Sequence, residues 1–314
     1  MASHLAAQVL WVLGGVYALL VVASLVQWAM QRRRPERDLG ELRSRIRSWW
    51  VMVTLFTAAM LLSPTASVVF FAFVSFLAFK EYLSIIPTRR ADRRVLFWAY
   101  LTIPVQYAWV GAGQYGLFIV FIPVYAFLLL PIPMVIIGET REFLRAAGTL
   151  HWGLMATVFS ISHVAYLLVL PGGNASAVAG GAGLVLYLLA LTELNDVAQY
   201  VWGKSFGRHR IIPKVSPNKT WEGFVGGVAT TVLLAVLLAP LLTPFTWPMA
   251  MAAGLIIGLG GFVGDVTISA VKRDLGVKDS GSVLPGHGGI LDRVDSLTYT
   301  APLFLHFTRY FYSS

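Results

Sequence analysis

The chain has 314 residues, of which 57% are hydrophobic and only 12% charged, and its mean hydropathy is +0.71. Soluble domains are about half apolar and a quarter charged, so this composition excludes a water-soluble protein and indicates one immersed in lipid. A net charge of +9 could suit nucleic acid, but the arginines lie in short loops between apolar runs, the pattern that anchors a membrane protein beside anionic lipid. With no cysteine, disulfides and thiolate metal sites are excluded, and any metal must sit on oxygen or imidazole.

Polar and Gly/Pro breaks divide the chain into about ten predicted spans: 9–30, 49–63, 66–86, 96–111, 115–138, 149–170, 176–195, 223–243, 248–270 and 297–312. Spanning segments must satisfy their own backbone, so all are expected to be helical. The first run, Val9 to Met30, is too long for a signal h-region and is followed by Arg32, Arg33 and Arg34; it is expected to be a retained span with its N-terminus outside. The spans at 49–63 and 66–86 are separated only by "SPTAS" and could instead form a re-entrant hairpin.

The connections "SPTAS", "GAGQY", "PGGNAS" and "TPFTWP" contain no charge, whereas those alternating with them hold nearly all of it. That alternation predicts both termini outside and the charged loops in the cytoplasm. "ETREFLRAA" (139–147) has the pattern of an amphipathic interfacial connector, and His163, inside the sixth span, is expected to make an interhelical hydrogen bond. The expected fold is an all-α polytopic membrane protein. Residues 1–190 would supply N-terminal membrane helices, and 191–314 a catalytic membrane region with cytoplasmic loops 196–222 and 271–296.

Two late segments hold the candidate chemistry. In the first, Glu193 and Asp196 lie one turn apart at the expected cytoplasmic end of the seventh span. "SPNKTWEG" (216–223) predicts a turn opening a helix, capped by Ser216 or Asn218, with Lys219 near the helix's positive end, a place for anions. Arg208, Arg210 and Lys214 fit phosphate binding and a basic loop on anionic headgroups equally well.

The second segment begins in the ninth span, where Gly254/Gly258 and Gly260/Gly264 have the spacing of close helix packing. Asp265, Ser269 and Lys272 then share one helical face. A carboxylate at that depth is costly unless paired or bound to a cation, so Asp265 is either an intrahelical partner of Ser269 or Lys272 or a ligand for a hard cation. The glycine-rich loop that follows returns to order at "ILDRVDS", bringing Asp292, Arg293 and Asp295 back toward the membrane beside Lys272, Arg273 and Lys278. Carboxylates for a divalent ion and basic groups for phosphate oxygens are what phosphoryl or nucleotidyl transfer requires. Composition alone would equally fit a solvated loop with balanced charge, and His287 alone could be a turn residue.

Ser269, Lys272, Arg273, Lys278, Asp279, Pro285, His287, Gly288, Gly289, Asp292, Arg293 and Asp295 stand at the spacing of the phosphatidate cytidylyltransferase (CDP-diacylglycerol synthase) signature. "SPNKTWEG", the "GGV" after it, and "ND" followed by "FG" and "P" are similar to that family's second block. The resemblance covers about 190–300; the run "NDVAQYVWGK" and the basic loop at 31–48 depart from it and suggest a divergent branch.

The resemblance implies Mg²⁺-dependent transfer of CMP from CTP to phosphatidate, with a second cation as an option. It implies Asp265 and Asp292 as principal metal ligands, with Asp295 beside them, and Lys272, Lys278, Asp279 and Arg293 as further catalytic residues. Ser216, Lys219, Ser269, Arg273, His287, Gly288, Gly289 and Asp196 would bind nucleotide or lipid phosphate. The expected partners are CTP, phosphatidate or a related lipid phosphate, membrane lipids and, as an open option, a second copy of the chain; nucleic acid is not among them. A CTP-dependent lipid kinase and a secondary transporter are the rival readings. The transporter is disfavoured because the polar cluster lies at one membrane face and no inverted repeat is visible.

Overall fold

Backbone that crosses lipid must hydrogen-bond to itself, and this chain is accordingly helical through nearly all of its length. The structure, a computed structural model, describes residues 5–33, 38–89, 92–170, 179–281, 283, 285–286 and 288–312. In chain order come α1 (Ala7–Arg33), α2 (Gly40–Leu62), α3 (Pro64–Ile85), α4 (Arg93–Gly111), α5 (Tyr115–Ile137), α6 (Phe143–Val169) and α7 (Gly180–Phe206). A two-stranded antiparallel hairpin, β1 (Arg210–Ile212) with β2 (Ser216–Thr220), leads into α8 (Trp221–Leu242) and α9 (Trp247–Asp274). A short α10 (Leu291–Val294) and α11 (Leu297–Tyr312) complete the fold. The all-α polytopic fold class holds.

Among the described residues, seven helices are long and apolar enough to cross a membrane: α1, α3, α5, α6, α7, α8 and α9. Helices also stand at the other three expected positions, but α2, α4 and α11 are not among those seven, so a count of ten spans is not reached. The break between α2 and α3 is a single residue. Ser63 caps α3 by accepting a hydrogen bond from the Ala66 N–H at 3.0 Å, and Pro64 supplies the first-turn position where a missing N–H costs nothing. Short π-helical turns interrupt α5 at Phe121–Ala126, around Pro123, and α6 at Leu154–Phe159.

Three local expectations change. Helix α7 runs on to Phe206, so Asp196 lies well inside it rather than at its end; no proline intervenes, and the helix stops at Gly207. Ser216–Thr220 is extended because it pairs with β1, so neither Ser216 nor Asn218 caps the next helix. Thr220 does, with Oγ1 accepting from the Gly223 N–H at 3.2 Å. His163 is fully buried, but its Nδ1 lies 2.7 Å from the Phe159 carbonyl of its own helix, so the contact seen is intrahelical.

In lipid, helix association depends on close packing and interhelical hydrogen bonds rather than on apolar burial. The four helices α7, α8, α9 and α11 pack successively and use both devices. Gly227 of α8 lies so close to Gln199 of α7 that a Cβ there would overlap it. Gly258 faces Val228 of α8, while Gly260 and Gly264 turn to α11 and the turn before it, so the two small-residue pairs of α9 serve different neighbours. Asn195 ties three helices, accepting from Thr231 at 3.0 Å and reaching the Gly258 carbonyl at 3.4 Å. In the N-terminal half, α3 packs on α6, with the Tyr82 hydroxyl donating to the Thr149 carbonyl at 2.9 Å.

Candidate active site

The site lies where the polar C-terminal stretches of α7 and α9 meet β2. From β2, the Lys219 ammonium makes an ion pair of 2.6 Å with Asp265 Oδ2 on α9 and donates to Gln199 Oε1 on α7 at 3.1 Å. Ser269, one turn beyond Asp265, donates to its other oxygen at 3.2 Å. Asp196 on α7 accepts from the Ser296 hydroxyl at 3.0 Å, while its Oδ1 is buried and has no partner among the described residues. Asp196 feels the charges of Lys219, Asp265 and Arg293.

Asp295 completes an acidic trio. It is 9% exposed, and its Oδ1 accepts from the Ser296 N–H at 2.8 Å. Burial pushes its carboxyl well above the ordinary carboxylate range, and the nearby charges of Asp265 and Asp196 push it further. Arg293, between Asp292 and Asp295, has a buried Nε without a partner among the described residues, and its charge acts on both Glu193 and Asp196.

A second cluster surrounds Asp292. The Lys272 ammonium lies 2.7 Å from Asp292 Oδ1, both side chains nearly buried. Asp292 Oδ2 accepts from the Ser280 N–H at 2.9 Å, the Ser280 hydroxyl at 3.0 Å and the Gly289 N–H at 3.0 Å. Burial raises the Asp292 carboxyl, but Lys272 and the N–H groups of Gly289 and Ser280 outweigh it and hold the group below the ordinary range. Gly288 adopts a left-handed φ of 78°, a conformation glycine adopts without strain, at the bend that aims the Gly289 N–H at the carboxylate.

Other sequence-predicted residues make no ion pair with this centre among the described residues. Ser216 and Asn218 line, with Asp196, Gln199, Tyr200, Lys204 and Lys219, a cavity of about 460 Å³. Arg273 bonds the Val215 and Val277 carbonyls, both at 3.3 Å, tying the end of α9 to the hairpin. Lys278 and Asp279 are exposed, and His287 lies outside the described residues. The pairing of Lys272 is with Asp292 across the loop, not with Asp265 on its own helix. Sequence reasoning missed Gln199, Ser280, Ser296 and Glu81. Ser280 and Ser296 had a local signal in "KDSGS" and "VDS", but Glu81 is remote in the chain and had none.

Among the described residues, no three acidic or imidazole side chains converge tightly enough to form a ready-made ion cage. The donor set nevertheless suits a hard cation. Asp196, Asp265 and Asp295 offer only carboxylate oxygen, repel one another, and include the orphaned Asp196 Oδ1.

Comparison with known proteins agrees with this chemistry. Residues 43–311 match the cytidylyltransferase family. The chain is 48% identical over 298 residues to the uncharacterized protein YnbB of Escherichia coli (strain K12), covering 95% of this chain and 97% of that one. It is 40% identical over 124 residues to a phosphatidate cytidylyltransferase of Staphylococcus aureus (strain COL), covering 39% of this chain and 48% of the relative. A phosphatidate cytidylyltransferase of Haemophilus influenzae is 41% identical over 132 residues, covering 40% of this chain and 46% of the relative. The match thus spans about half the length of the relatives that carry that name. With residues 43–311 matched, most of its length, and with its long apolar helices, the chain belongs to the cytidylyltransferase family, as an integral membrane protein.

Proposed function

We propose that the protein transfers CMP from CTP to phosphatidate, giving CDP-diacylglycerol and pyrophosphate. The reaction would take place at the cytoplasmic face of a bacterial inner membrane, the side to which the alternation of basic loops assigns the site. The observation that carries the reading is Lys219: it bridges Asp265 and Gln199 on the wall of the cavity that Asp196 also lines. An ammonium held beside carboxylates on a cavity wall is suited to receive phosphate oxygens.

The nucleophile is a phosphate oxygen of phosphatidate, already anionic, so no strong general base is needed. It bonds to the α-phosphorus of CTP as the bond from that phosphorus to the bridging oxygen breaks, and the electron pair leaves with pyrophosphate. Lys219 and Arg293 offset the charge on the transferring and leaving phosphates. Asp292, locked by Ser280 and Gly289, fixes Lys272 beside them. Asp196, Asp265 and Asp295 would hold Mg²⁺, with Asp292 one lysine away; when bound, the ion supplies further neutralisation of phosphate oxygens. Acyl chains would extend sideways from the helix ends into lipid.

The test is direct. Purified protein given labelled CTP and phosphatidate should form a CDP-lipid and pyrophosphate, and should do so with Mg²⁺ but not with excess chelator. CDP appearing as the nucleotide product would instead identify a lipid kinase, and no CTP consumption with any lipid phosphate would overturn the proposal.

A further inference from the structure

Glu81 lies near the end of α3, in the half of the chain with no sequence signal for the site, yet it is only 7% exposed and faces the catalytic loop. Its Oε2 accepts from the Leu291 N–H at 2.8 Å and lies 3.3 Å from the Ser280 hydroxyl oxygen. That same hydroxyl lies 3.0 Å from Asp292 Oδ2, so one side chain of the loop links Glu81 to Asp292. Gly281 and Gly289 pack directly on the Glu81 carboxylate, and a Cβ at Gly289 would overlap it. A second tether acts farther along, where the Ser48 hydroxyl of α2 donates to the Pro285 carbonyl at 2.8 Å.

We infer that Glu81 is a positioning residue for the transfer reaction: it holds the two ends of the 280–291 loop together so that Asp292 faces Lys272. The contacts meet at both chain ends of the loop, Ser280 and Leu291, so a single carboxylate closes it. Removing the acceptor would leave the buried Leu291 N–H, one residue before Asp292, unsatisfied and so loosen the backbone that carries the Asp292 cradle. Glu81 makes no hydrogen bond or ion pair with Lys272 or Asp292, so its effect passes through Ser280 and the loop backbone.

The inference rests on the cytidylyl-transfer reading, and its test separates the two. Glu81→Ala, Glu81→Gln and Ser280→Ala are compared with the parent by steady-state kinetics and by hydrogen exchange of the amides of residues 279–291. Glu81→Ala should lower kcat at least about tenfold while the KM for CTP moves by less than about threefold, because a misplaced group costs turnover more than binding. Exchange across the loop should quicken by about tenfold or more. Glu81→Gln, whose amide oxygen can still accept from Leu291, should recover to within about threefold of the parent in both measurements. Ser280→Ala should lower kcat even if Glu81→Ala does not fold. Unchanged kcat and unchanged exchange in Glu81→Ala, or a Glu81→Gln variant as impaired as Glu81→Ala, would overturn the inference. Exchange is read without turnover, so a parent protein inactive on CTP would refute the reaction while the loop-holding role of Glu81 was still decided.

Discussion

Lys272 Nζ lies 2.7 Å from Asp292 Oδ1 across a separation of twenty residues, while Asp265, on Lys272's own helical face, is paired with Lys219 of the hairpin. The two carboxylates that the resemblance implies as principal metal ligands are therefore each held by a lysine from a different element. Phosphate oxygens entering the site would compete with these carboxylates for the ammonium groups, so the resting pairs keep the lysines aimed.

Asp292→Asn should lower CDP-lipid formation by about a hundredfold or more, since it removes the charge that orients Lys272. The variant should still insert and purify as the parent does. Lys272→Met, by contrast, leaves Asp292 buried without its cation and should cost about 3 kcal/mol of stability, seen as a lower unfolding temperature in detergent. Near-parental turnover in Asp292→Asn would remove that residue from the machinery.

Lys219→Gln should act on substrate handling more than on folding. Its ammonium is partly exposed and borders the cavity, and glutamine can still meet Gln199. The expected result is a lower kcat/KM for CTP, by about ten- to a hundredfold, with an unfolding temperature close to that of the parent. A variant with unchanged kcat/KM would show that Lys219 only partners Asp265.

Asp295→Asn offers a test of cation binding that does not depend on turnover. In chelator, replacing the buried member of three mutually repelling carboxylates by a neutral amide should raise stability by about 1 kcal/mol or more. In the parent, millimolar Mg²⁺ should raise the unfolding temperature, and the variant should lose most of that gain. An equal Mg²⁺ effect in both proteins would place the ion away from Asp295.

Gly264→Val probes the floor of the site. A Cβ at Gly264 would run into the Asp295 carbonyl and the Ser296 backbone, so α9 and the turn before α11 must move apart. Overpacking of this kind costs about 1–3 kcal/mol, and activity should fall with it because Ser296 holds Asp196. Gly14→Val, where a Cβ meets nothing within 4 Å, is the matched control and should be silent.

Much of the fold was legible because lipid imposes a simple rule: a spanning segment satisfies its own backbone, so hydropathy reads out helices. The limits of that legibility are equally physical. Helix α7 continued past the apolar stretch because "DVAQYVWGKSF" contains no proline, so polarity marked the edge of the membrane rather than the end of the helix. Ser216–Thr220 became a strand because β1 was available to pair with it, a partner that turn chemistry alone does not reveal. The loop residues Asp292, Arg293 and Asp295 were identifiable from their charge, but which lysine each carboxylate takes was not.

The sequence by itself determined that the chain lives in a membrane, that its candidate water-side residues are concentrated in two late segments, and that these are carboxylate and basic groups without thiols; composition and spacing suffice for such statements because they depend on transfer energies and residue types. Only the tertiary structure decided that Asp196, Asp265 and Asp295 share one neighbourhood, that Lys272 belongs to Asp292, and that Glu81 of α3 closes the loop. Those relations depend on how helices approach one another through glycine faces, and hydrogen bonds over a few ångströms are sensitive to that approach in a way that no local pattern encodes.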